Sequence, residues 1–313
     1  MDIIYEGKES EVVIPYFGQQ SRFFKFFYDV ISKYIKKGDI YAETNSGSNG
    51  NAYMFAKNGY RVIINDKGEY SNCIANAILS DDDKVLSTRD DIATFLKEYS
   101  HSYLDRASVF AALMDELGYN YNIPQKFDEK TLQTIKKYKS HLSQLNKKNI
   151  RAYKIFNDDL FDYLKKLEEE NIVVDAMFMD FAWPWRDGSK TEEYETSANI
   201  LTNVFADGYN KVDIWDKTNV IENVLKAVRQ AQKVSKYVFL SNQSSNFPTP
   251  ELLEVALLKN GIQYIERHTM LTNATNEDNL NKCDFFREYL YVIEGGNLKN
   301  ELWQKNIDVG WCL

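Results

Sequence analysis

The chain has 313 residues, enough for one large domain or for a core domain with an inserted unit. Its net charge at pH 7 is −8, which argues against nucleic-acid binding over the whole surface but leaves a local basic patch open. Three histidines and three widely spaced cysteines (Cys73, Cys283 and Cys312) argue against a histidine-based zinc site, a Ser-His triad and a disulfide framework.

The same composition bears on where the protein works. No apolar run approaches the roughly 18 residues that a membrane span needs. The first residues lack the basic and then apolar pattern of a signal peptide. Together with the sparse cysteines, these features predict a protein of the reducing cytoplasm, with no membrane contact and no bound metal.

Near the amino terminus, residues 19–37 carry aromatic and aliphatic side chains at helical spacing, which predicts a helix packed on a sheet. A turn at Tyr16, Phe17 and Gly18 precedes this helix. A short strand then follows at residues 39–43.

That strand runs into a turn with glycines and then into a helix, the order typical of the unit that holds a phosphate or cofactor in doubly wound sheets. Gly47 and Gly50 are three residues apart, which is not the dinucleotide-binding spacing, so the turn alone is a weak signal. A second strand, at residues 60–66, ends on Asp66 about 20 residues after the turn, where an acid can accept both hydroxyls of a ribose. The alternative is that Asp66 caps the helix predicted at residues 69–79.

Between residues 84 and 149 the pattern changes to helices, predicted at 92–99, 105–117 and 130–145. Residues 130–154 contain eight basic side chains and no Asp or Glu. The basic positions that we single out are Lys136, Lys137, Lys139, Lys147, Lys148 and Arg151. They predict a surface that follows nucleic-acid phosphates, with an ordinary solvated helix face as the alternative.

The next βα unit comprises a strand at residues 151–156 and a helix that runs to residue 170. Asn157 or Asp158 is the predicted amino-terminal cap of this helix. Residues 186–215 show no strong period and predict a mobile flap over the ligand edge of the sheet. Further helices are predicted at 217–234 and 250–260, strands at 236–242, 263–269 and 288–294, and a hairpin loop at 271–284.

The most informative stretch is the apolar run at residues 172–180, which ends on Asp180 and breaks at once into Trp183, Pro184 and Trp185. It predicts a strand buried on both faces of a parallel sheet, followed by a loop at the carboxyl edge where open α/β sheets bind ligands. An acid beside two indoles suits a planar ligand with polar edges, such as a nucleobase. The alternative is a structural acid at the strand end, with both indoles in the core.

In this order, the parts resemble those of the adenine-N6 DNA methyltransferases, whose familiar member is the bacterial Dam enzyme. The resemblance spans residues 14–295 and is weakest in the helical segment. It implies a Rossmann-like S-adenosylmethionine-dependent methyltransferase fold, mostly parallel with an antiparallel last strand. The catalytic domain would comprise residues 1–83 and 150–313, and residues 84–149 would form an inserted helical target-recognition module.

The resemblance also implies S-adenosylmethionine as the cofactor and assigns residues to it. Tyr16, Phe17 and Gly18 would flank its methionine part, Asp66 would bind the ribose, and Asp159 or, in another register, Asp158 would lie near the adenine. The glycine motif would be formed by Glu43, Asn45 and Gly47. Asn49 stands where the family has a second glycine, and Gln19-Gln20-Ser21 stand where a lysine is common.

The family's catalytic tetrapeptide, Asp-Pro-Pro-Tyr, corresponds here to Asp180-Phe181-Ala182-Trp183. Both prolines are absent, while the first acid and an aromatic last residue remain. By resemblance, Asp180 and the carbonyl of Phe181 would accept the two N6 hydrogens of an adenine flipped out of duplex DNA, and Trp183 would stack on the base. The alternatives are the same fold and cofactor acting on RNA or another base amine, and a non-catalytic DNA-binding protein that has lost turnover.

Overall fold

The computed structural model describes residues 3–4, 12, 14, 23–81, 85–86, 94–117, 126–186, 199–200, 205, 215–273 and 285–296. Three predicted cofactor residues, Tyr16, Phe17 and Gly18, therefore lie outside the described residues. So do most of the predicted flap and residues 274–284 of the predicted hairpin loop.

Eight strands form one sheet. They are β1 (Ile3–Ile4), β2 (Ile40–Glu43), β3 (Arg61–Asn65), β4 (Lys154–Phe156), β5 (Val174–Met179), β6 (Ser235–Gln243), β7 (Tyr264–Asn273) and β8 (Phe285–Glu294). The order across the sheet is β1-β7-β8-β6-β5-β2-β3-β4. Only β8 is antiparallel to its neighbours, β6 and β7, within the described chain. The predicted fold class, a Rossmann-like and mostly parallel sheet with an antiparallel last strand, is confirmed.

Helices cover both faces of this sheet. They are α1 (Phe24–Ile31), α2 (Gly50–Lys57), α3 (Glu69–Leu79), α4 (Tyr103–Leu117), α5 (Glu129–Asn146), α6 (Leu160–Glu169), α7 (Val220–Val234) and α8 (Pro250–Lys259), with a 3-10 helix at Thr94–Tyr99. In the described part of the chain, none of them is long and apolar enough to cross a bilayer.

The alternation of strand side chains divides the interior into two cores. Tyr41, Ile64 and Phe178 face a first core shared with α1, α2 and α3, where Phe27 packs on Phe178 with ring centroids 4.9 Å apart. The residues between them, such as Ala42 and Met177, face a second core shared with α6, α7 and α8. Because both faces are covered, the central strands are apolar on both sides, as the sequence predicted for β5.

Helices α4 and α5 join the first core through α3. Phe110 of α4 stacks on Tyr70 of α3 with centroids 4.9 Å apart. The buried guanidinium of Arg106 meets the carboxylate of Glu69 at 3.1 Å. The helical segment therefore packs against the first core of the sheet, and its role as a separate recognition module stays a prediction.

Candidate active site at the carboxyl edge of the sheet

Four adjacent strands place polar side chains on one face of the sheet at its carboxyl edge. Glu43 ends β2, Asp180 follows β5, and Ser241 lies near the end of β6. Strand β8 runs the other way, so Glu288 near its start lies opposite Gln243 at the same edge. Each of these residues is two positions from a strand residue of the first core: Tyr41, Phe178, Phe239 and Leu290.

The turn after β2 is held by its own backbone and by the end of β3. The amide of Ser46 donates to the carbonyl of Asn65 at 3.1 Å. Gly47 has φ 51° and Asn49 has φ 61°, both in the left-handed region, and Asn49 caps α2. Among residues with a side chain, asparagine tolerates this region best, which accounts physically for an asparagine at position 49.

The side chain of Asn49 also ties the turn to α3. Its amide nitrogen donates to the carbonyl of Ser71 at 2.9 Å. Its buried amide oxygen, in contrast, has no hydrogen-bond partner within the described residues. A buried acceptor of this kind is expected to face a ligand or a bound water.

Asp66, the predicted ribose-binding acid, bridges two loops. Its carboxylate accepts the amide of Gly47 at 2.8 Å and the amide of Gly68 at 2.7 Å. Burial raises the pKa of Asp66 to about 6, although the bonds from Gly68, Gly47 and Ser71 lower it. These three donors leave the carboxylate one lone pair for a ribose hydroxyl, and that role stays a prediction.

Glu43 is a buried acid next to other acids. The hydroxyl of Tyr41 donates to its carboxylate at 2.7 Å. Burial raises the pKa of Glu43 to about 8, the bonds from Tyr41 and Ser46 oppose the rise, and repulsion from Asp180 and Asp66 adds to it. A carboxyl group with this pKa is largely protonated at neutral pH and ionises readily when a cation approaches.

The predicted adenine-binding acids lie at the neighbouring strand end, beyond β4. The carboxylate of Asp158 lies 2.7 Å from the ammonium of Lys166, and Lys67 lies 3.5 Å from Asp159. The cap of α6 is Asp159, which accepts the amide of Phe161 at 3.0 Å, so the predicted cap at Asn157 or Asp158 was wrong.

Asp159 takes the cap position because hydrogen bonds join the chain after β4 to the end of β3. The side chain of Asn65 accepts the amide of Asp158 at 3.1 Å. The side chain of Asn157 donates to the carbonyl of Asp66 at 2.7 Å. Both earlier residues are thereby engaged with β3, and the first side chain left to cap α6 is Asp159.

The loop after β5 departs from expectation at its aromatic residues. The alternation of β5 continues past the strand, so that Phe181 and Trp183 join the second core while Asp180 lies on the other face. Trp183 is only 8% exposed and meets Phe181 edge-on, with centroids 5.5 Å apart. A ring packed in this way presents little surface to a base, and the stacking role expected for Trp183 stays a prediction.

The exposed indole of this loop is Trp185, with 44% of its surface accessible. Its backbone pairs with Asn246 in an isolated bridge, and the carbonyl of Pro184 accepts the amide of Phe247 at 2.8 Å. The amide of Trp183 donates to the carbonyl of Phe181 at 2.9 Å, which closes a tight turn. The loop is therefore fixed on both sides of Trp185.

The predicted nucleic-acid-binding side chains are not gathered at this edge. Helix α3 starts at the carboxyl edge and ends at the opposite one, where Asn146 donates to the carbonyl of Ala77 at 2.9 Å. Lys147, Lys148 and Arg151 follow Asn146 and so lie at the amino edge, whereas Lys136, Lys137 and Lys139 are exposed on α5.

Acidic side chains also reduce the net charge of this basic surface. Lys139 lies 2.5 Å from Asp105, and Lys137 lies 3.7 Å from Asp115. The guanidinium of Arg151 donates to Asp81 at 2.7 Å. These acids all lie outside residues 130–154, so the charge count along that stretch of sequence did not include them.

Two residues of the edge were not among the predicted site residues: Ser241 and Glu288, both fully buried. Ser241 lies between Asp180 and Glu288. The available signal was the alternation of β8, which places Glu288 on the same face as Leu290 and Val292, where a charged residue is unexpected. Among the described residues, no group of three or more His, Cys, Asp or Glu side chains is placed to hold a metal ion.

No protein-family model matches the chain, and no curated protein matches it in sequence. Among solved structures, it is similar to a proposed S-adenosylmethionine-dependent methyltransferase from Streptococcus mutans, at 11% identity and a TM-score of 0.42, over 88% of this chain and 50% of the other. A proposed RNA methyltransferase from Pyrococcus horikoshii is matched at 10% identity and a TM-score of 0.36, over 94% and 92% of the two chains.

The magnesium protoporphyrin IX methyltransferase of Synechocystis, solved with bound S-adenosylmethionine, is matched at 8% identity and a TM-score of 0.37, over 87% and 77% of the two chains. This chain thus spans half the length of the Streptococcus protein and most of the other two. Likenesses of this extent give no basis for assigning an activity, so a functional assignment has to rest on the geometry of the site.

Proposed function

We propose that this protein is an S-adenosylmethionine-dependent methyltransferase that acts on the exocyclic amine of a nucleobase, with adenine N6 in DNA as the leading substrate. The observation that supports the proposal best is the position of Asp180. It follows the central strand β5 on the same face as Glu43, close enough for the two carboxyl groups to repel each other. In doubly wound sheets this is the edge where nucleotide-like ligands bind.

The residues of the edge fit a cationic cofactor. S-adenosylmethionine, when bound, supplies an electrophilic methyl group on a positively charged sulfur. Glu43, Asp66 and Asp180 are the acids of this edge. Burial, with added repulsion from Asp180 and Asp66, raises the pKa of Glu43, and a cation nearby would favour its ionised form. The unpartnered amide oxygen of Asn49 and the remaining lone pair of Asp66 are acceptors for ligand N–H or O–H groups.

The loop after β5 fits an amine acceptor. Asp180 can accept one N–H of the amine, and the carbonyl of Phe181 keeps one lone pair for the other after receiving the amide of Trp183. Two such bonds orient the lone pair of the amine, which is chiefly a problem of positioning. In place of Trp183, the exposed Trp185 provides the aromatic face, and stacking on a base typically contributes about 1–3 kcal/mol.

The test measures transfer of radiolabelled methyl groups from S-adenosylmethionine to duplex DNA, single-stranded DNA and RNA. We expect transfer to DNA by the wild type and a loss of at least about 100-fold in Asp180→Ala, with cofactor binding by calorimetry retained. Preferential transfer to RNA would replace the DNA assignment. Tight DNA binding with no transfer to any acceptor would identify a non-catalytic binding protein.

A matched pair of variants tests the aromatic assignment. Trp185→Ala is expected to weaken nucleic-acid binding by about 5- to 150-fold, the equivalent of one lost stacking contact. Trp183→Phe keeps an aromatic ring in the second core and should leave nucleic-acid affinity close to that of the wild type. The reverse result would return the stacking role to Trp183.

A further inference from the structure

Two arginine side chains at the carboxyl edge differ from the other arginines of the described chain. That part of the chain contains seven arginines, and five of them bond to a carboxylate or carbonyl or lie over a ring: Arg61, Arg106, Arg151, Arg229 and Arg267. The other two are Arg186 and Arg287, both exposed. Their guanidinium groups form no hydrogen bond, ion pair or ring contact within the described residues.

The backbones of both arginines are fixed to one segment, the loop after β6. The amide of Arg186 donates to the carbonyl of Ser245 at 2.9 Å. The amide of Arg287 donates to Oγ of Ser244 at 2.9 Å, and the amide of Ser244 donates back to the carbonyl of Arg287 at 2.9 Å. Adjacent extended segments lie about 4.8 Å apart, so the two arginine backbones, one on each side of this loop, are roughly 10 Å apart. The two guanidinium groups can therefore engage separate phosphates.

Aromatic rings lie next to these cations. Trp185 precedes Arg186 and has 44% of its surface exposed. On the loop after β6, Nζ of Lys217 lies 5.2 Å from the ring centre of Phe247. Residues 244–249 contain no charged side chain. Cations that alternate with exposed rings are typical of surfaces that follow a nucleic-acid strand, where rings contact bases and guanidinium groups contact phosphates.

One acid interacts with this surface at longer range. Hydrogen bonds from its own amide and from Thr249 lower the pKa of Glu251 at the start of α8, and the charge of Arg186 contributes less to this shift. The side chains of Glu251 and Arg186 are both described and do not form an ion pair. The guanidinium of Arg186 therefore keeps its hydrogen-bond donors for a ligand.

The surface adjoins the proposed amine acceptor. Oγ of Ser241 is 3.1 Å from Oδ1 of Asp180, and Ser244 follows Ser241 by three residues. At about 3.3 Å per extended residue, this separation is roughly 10 Å, which one nucleotide can span. On α5, by contrast, Lys137 and Lys139 are paired with acids of α4.

We infer that Arg186 and Arg287 bind phosphates of the nucleic-acid strand that carries the acceptor base, one on each side of the loop after β6. Arginine suits this role because its planar group donates two parallel hydrogen bonds to phosphate oxygens. The inference rests on the proposed function in that it takes the acceptor to be a base within a nucleic acid. DNA and RNA present the same phosphates, so the tests include both.

The first test compares two double variants of equal charge. Arg186→Gln/Arg287→Gln and the control Arg229→Gln/Lys259→Gln each take the formal net charge from −8 to −10, since two positive charges are removed. Arg229 and Lys259 are exposed near the amino edge, where α8 ends. Fluorescence anisotropy gives the affinity of each protein for duplex DNA, and for RNA of equal length, as a function of salt concentration.

The arginine variant should reduce the slope of log affinity against log salt by about 1.8, the equivalent of two phosphate contacts, and lower the affinity at 0.1 M salt by roughly 10- to 100-fold. The control should keep the slope of the wild type. Arg186→Lys/Arg287→Lys retains both charges and should restore most of the slope. A slope in the arginine variant equal to that of the wild type or of the control would overturn the inference.

The second test locates the phosphates. A duplex with one mismatched adenine offers a base that is more easily flipped. Neutral methylphosphonates in place of the two phosphates that flank this adenine should weaken binding by the wild type. They should leave the affinity of Arg186→Gln/Arg287→Gln nearly unchanged, because the same contacts are already lost. Equal weakening in both proteins would place the arginines away from the acceptor base and overturn the inference.

The outcome for the proposed function is separate. If the arginine variant loses the two contacts but the wild type methylates no acceptor, the nucleic-acid surface stands and the proposed catalysis fails. If DNA is methylated and the slopes agree, the proposed function stands and the arginine contacts do not exist. Absence of wild-type binding to both DNA and RNA would overturn both.

Discussion

Glu43 ends β2 with its carboxyl group inside the protein, bonded to the hydroxyl of Tyr41 and repelled by Asp180 and Asp66. Its pKa rises from the ordinary 4.5 to about 8, chiefly because of burial. The folded protein therefore binds this proton more tightly than the unfolded chain does. The resulting contribution to stability is complete below pH 4.5, the pKa in the unfolded chain, and is lost as the pH rises to 8.

We therefore expect Glu43→Gln to remove a pH-dependent loss of stability. Glutamine keeps an oxygen for the bond from Tyr41 and cannot ionise. Between pH 6 and 8, the unfolding free energy of the wild type should fall relative to the variant by up to about 1.4 kcal/mol per pH unit. Asp66, with a pKa of about 6, contributes in the same sense at lower pH, so the higher window isolates Glu43.

Urea denaturation of both proteins at pH 5, 6, 7 and 8 checks this expectation. Glu169→Gln, at an exposed residue paired with Lys165, is the control and should give a curve parallel to that of the wild type. Parallel curves for the wild type and Glu43→Gln would show that Glu43 is ionised across the whole range.

From the sequence, a site residue could be predicted only where it directly follows a strand with a clear apolar pattern. The position of Asp180 follows from the apolar run before it, because a strand buried on both faces must end at the edge of the sheet. The burial of Trp183 and the exposure of Trp185 could not be foreseen, since the turn at Phe181 decides which indole enters the second core. To place Glu288 at this edge, one must know that β8 pairs with β6, and such a long-range contact cannot be inferred from local sequence patterns.

At the scale of elements, the start of α6 shows how neighbouring strands select a cap. Asp159 accepts the amide of Phe161, and Asp158 forms an ion pair with Lys166 at the surface. Asp159→Ala should lower the unfolding free energy by about 1 kcal/mol, the usual effect of removing an amino-terminal cap. Asp158→Ala should lower it by less, because a partly exposed ion pair contributes at most about 1 kcal/mol.

Chemical denaturation of the two variants separates these roles, and titration with S-adenosylmethionine tests the adenine contact in the same pair. A larger loss of stability in Asp158→Ala would show that the ion pair, and not the cap, holds the start of α6. The variant that loses cofactor affinity without losing stability identifies the acid next to the ligand.

Long periodic elements were predicted well for a physical reason. Helices α4, α5 and α7 repeat their apolar face over several turns, so their bounds were predicted to within three residues. Strand β1 has two residues and no period, and it is defined only by pairing with β7. Helix α1 ends at Ile31, before its predicted end at residue 37, because the chain turns at residues 32–34 and Gly38 adopts φ 91°.

At the scale of the whole molecule, acidic and basic side chains lie in different places around the sheet, which the linear sequence does not show. Buried and partly buried acids gather at the carboxyl edge, where Glu43, Asp66, Asp180 and Glu288 lie. The basic stretch from residue 130 to 154 is divided between α5 and the amino edge, and acids of α4 and Asp81 pair with part of it. Nucleic acid bound at Asp180 is therefore expected to contact α5 more than the amino edge.

Two triple variants of equal charge test this division. The first changes Lys136, Lys137 and Lys139 to Gln, and the second changes Lys147, Lys148 and Arg151 to Gln. Each takes the formal net charge from −8 to −11, since three positive charges are removed. Any difference between them therefore reports position and not total charge.

The measurement is the affinity for duplex DNA as a function of salt concentration. Each lost phosphate contact reduces the slope of log affinity against log salt by about 0.9. Lys137 and Lys139 pair with acids of α4, so the α5 variant should lose about one such contact and the amino-edge variant close to none. An equal reduction in both would show that DNA follows the amino edge as well, and the contact surface would then extend beyond the edge that holds Asp180.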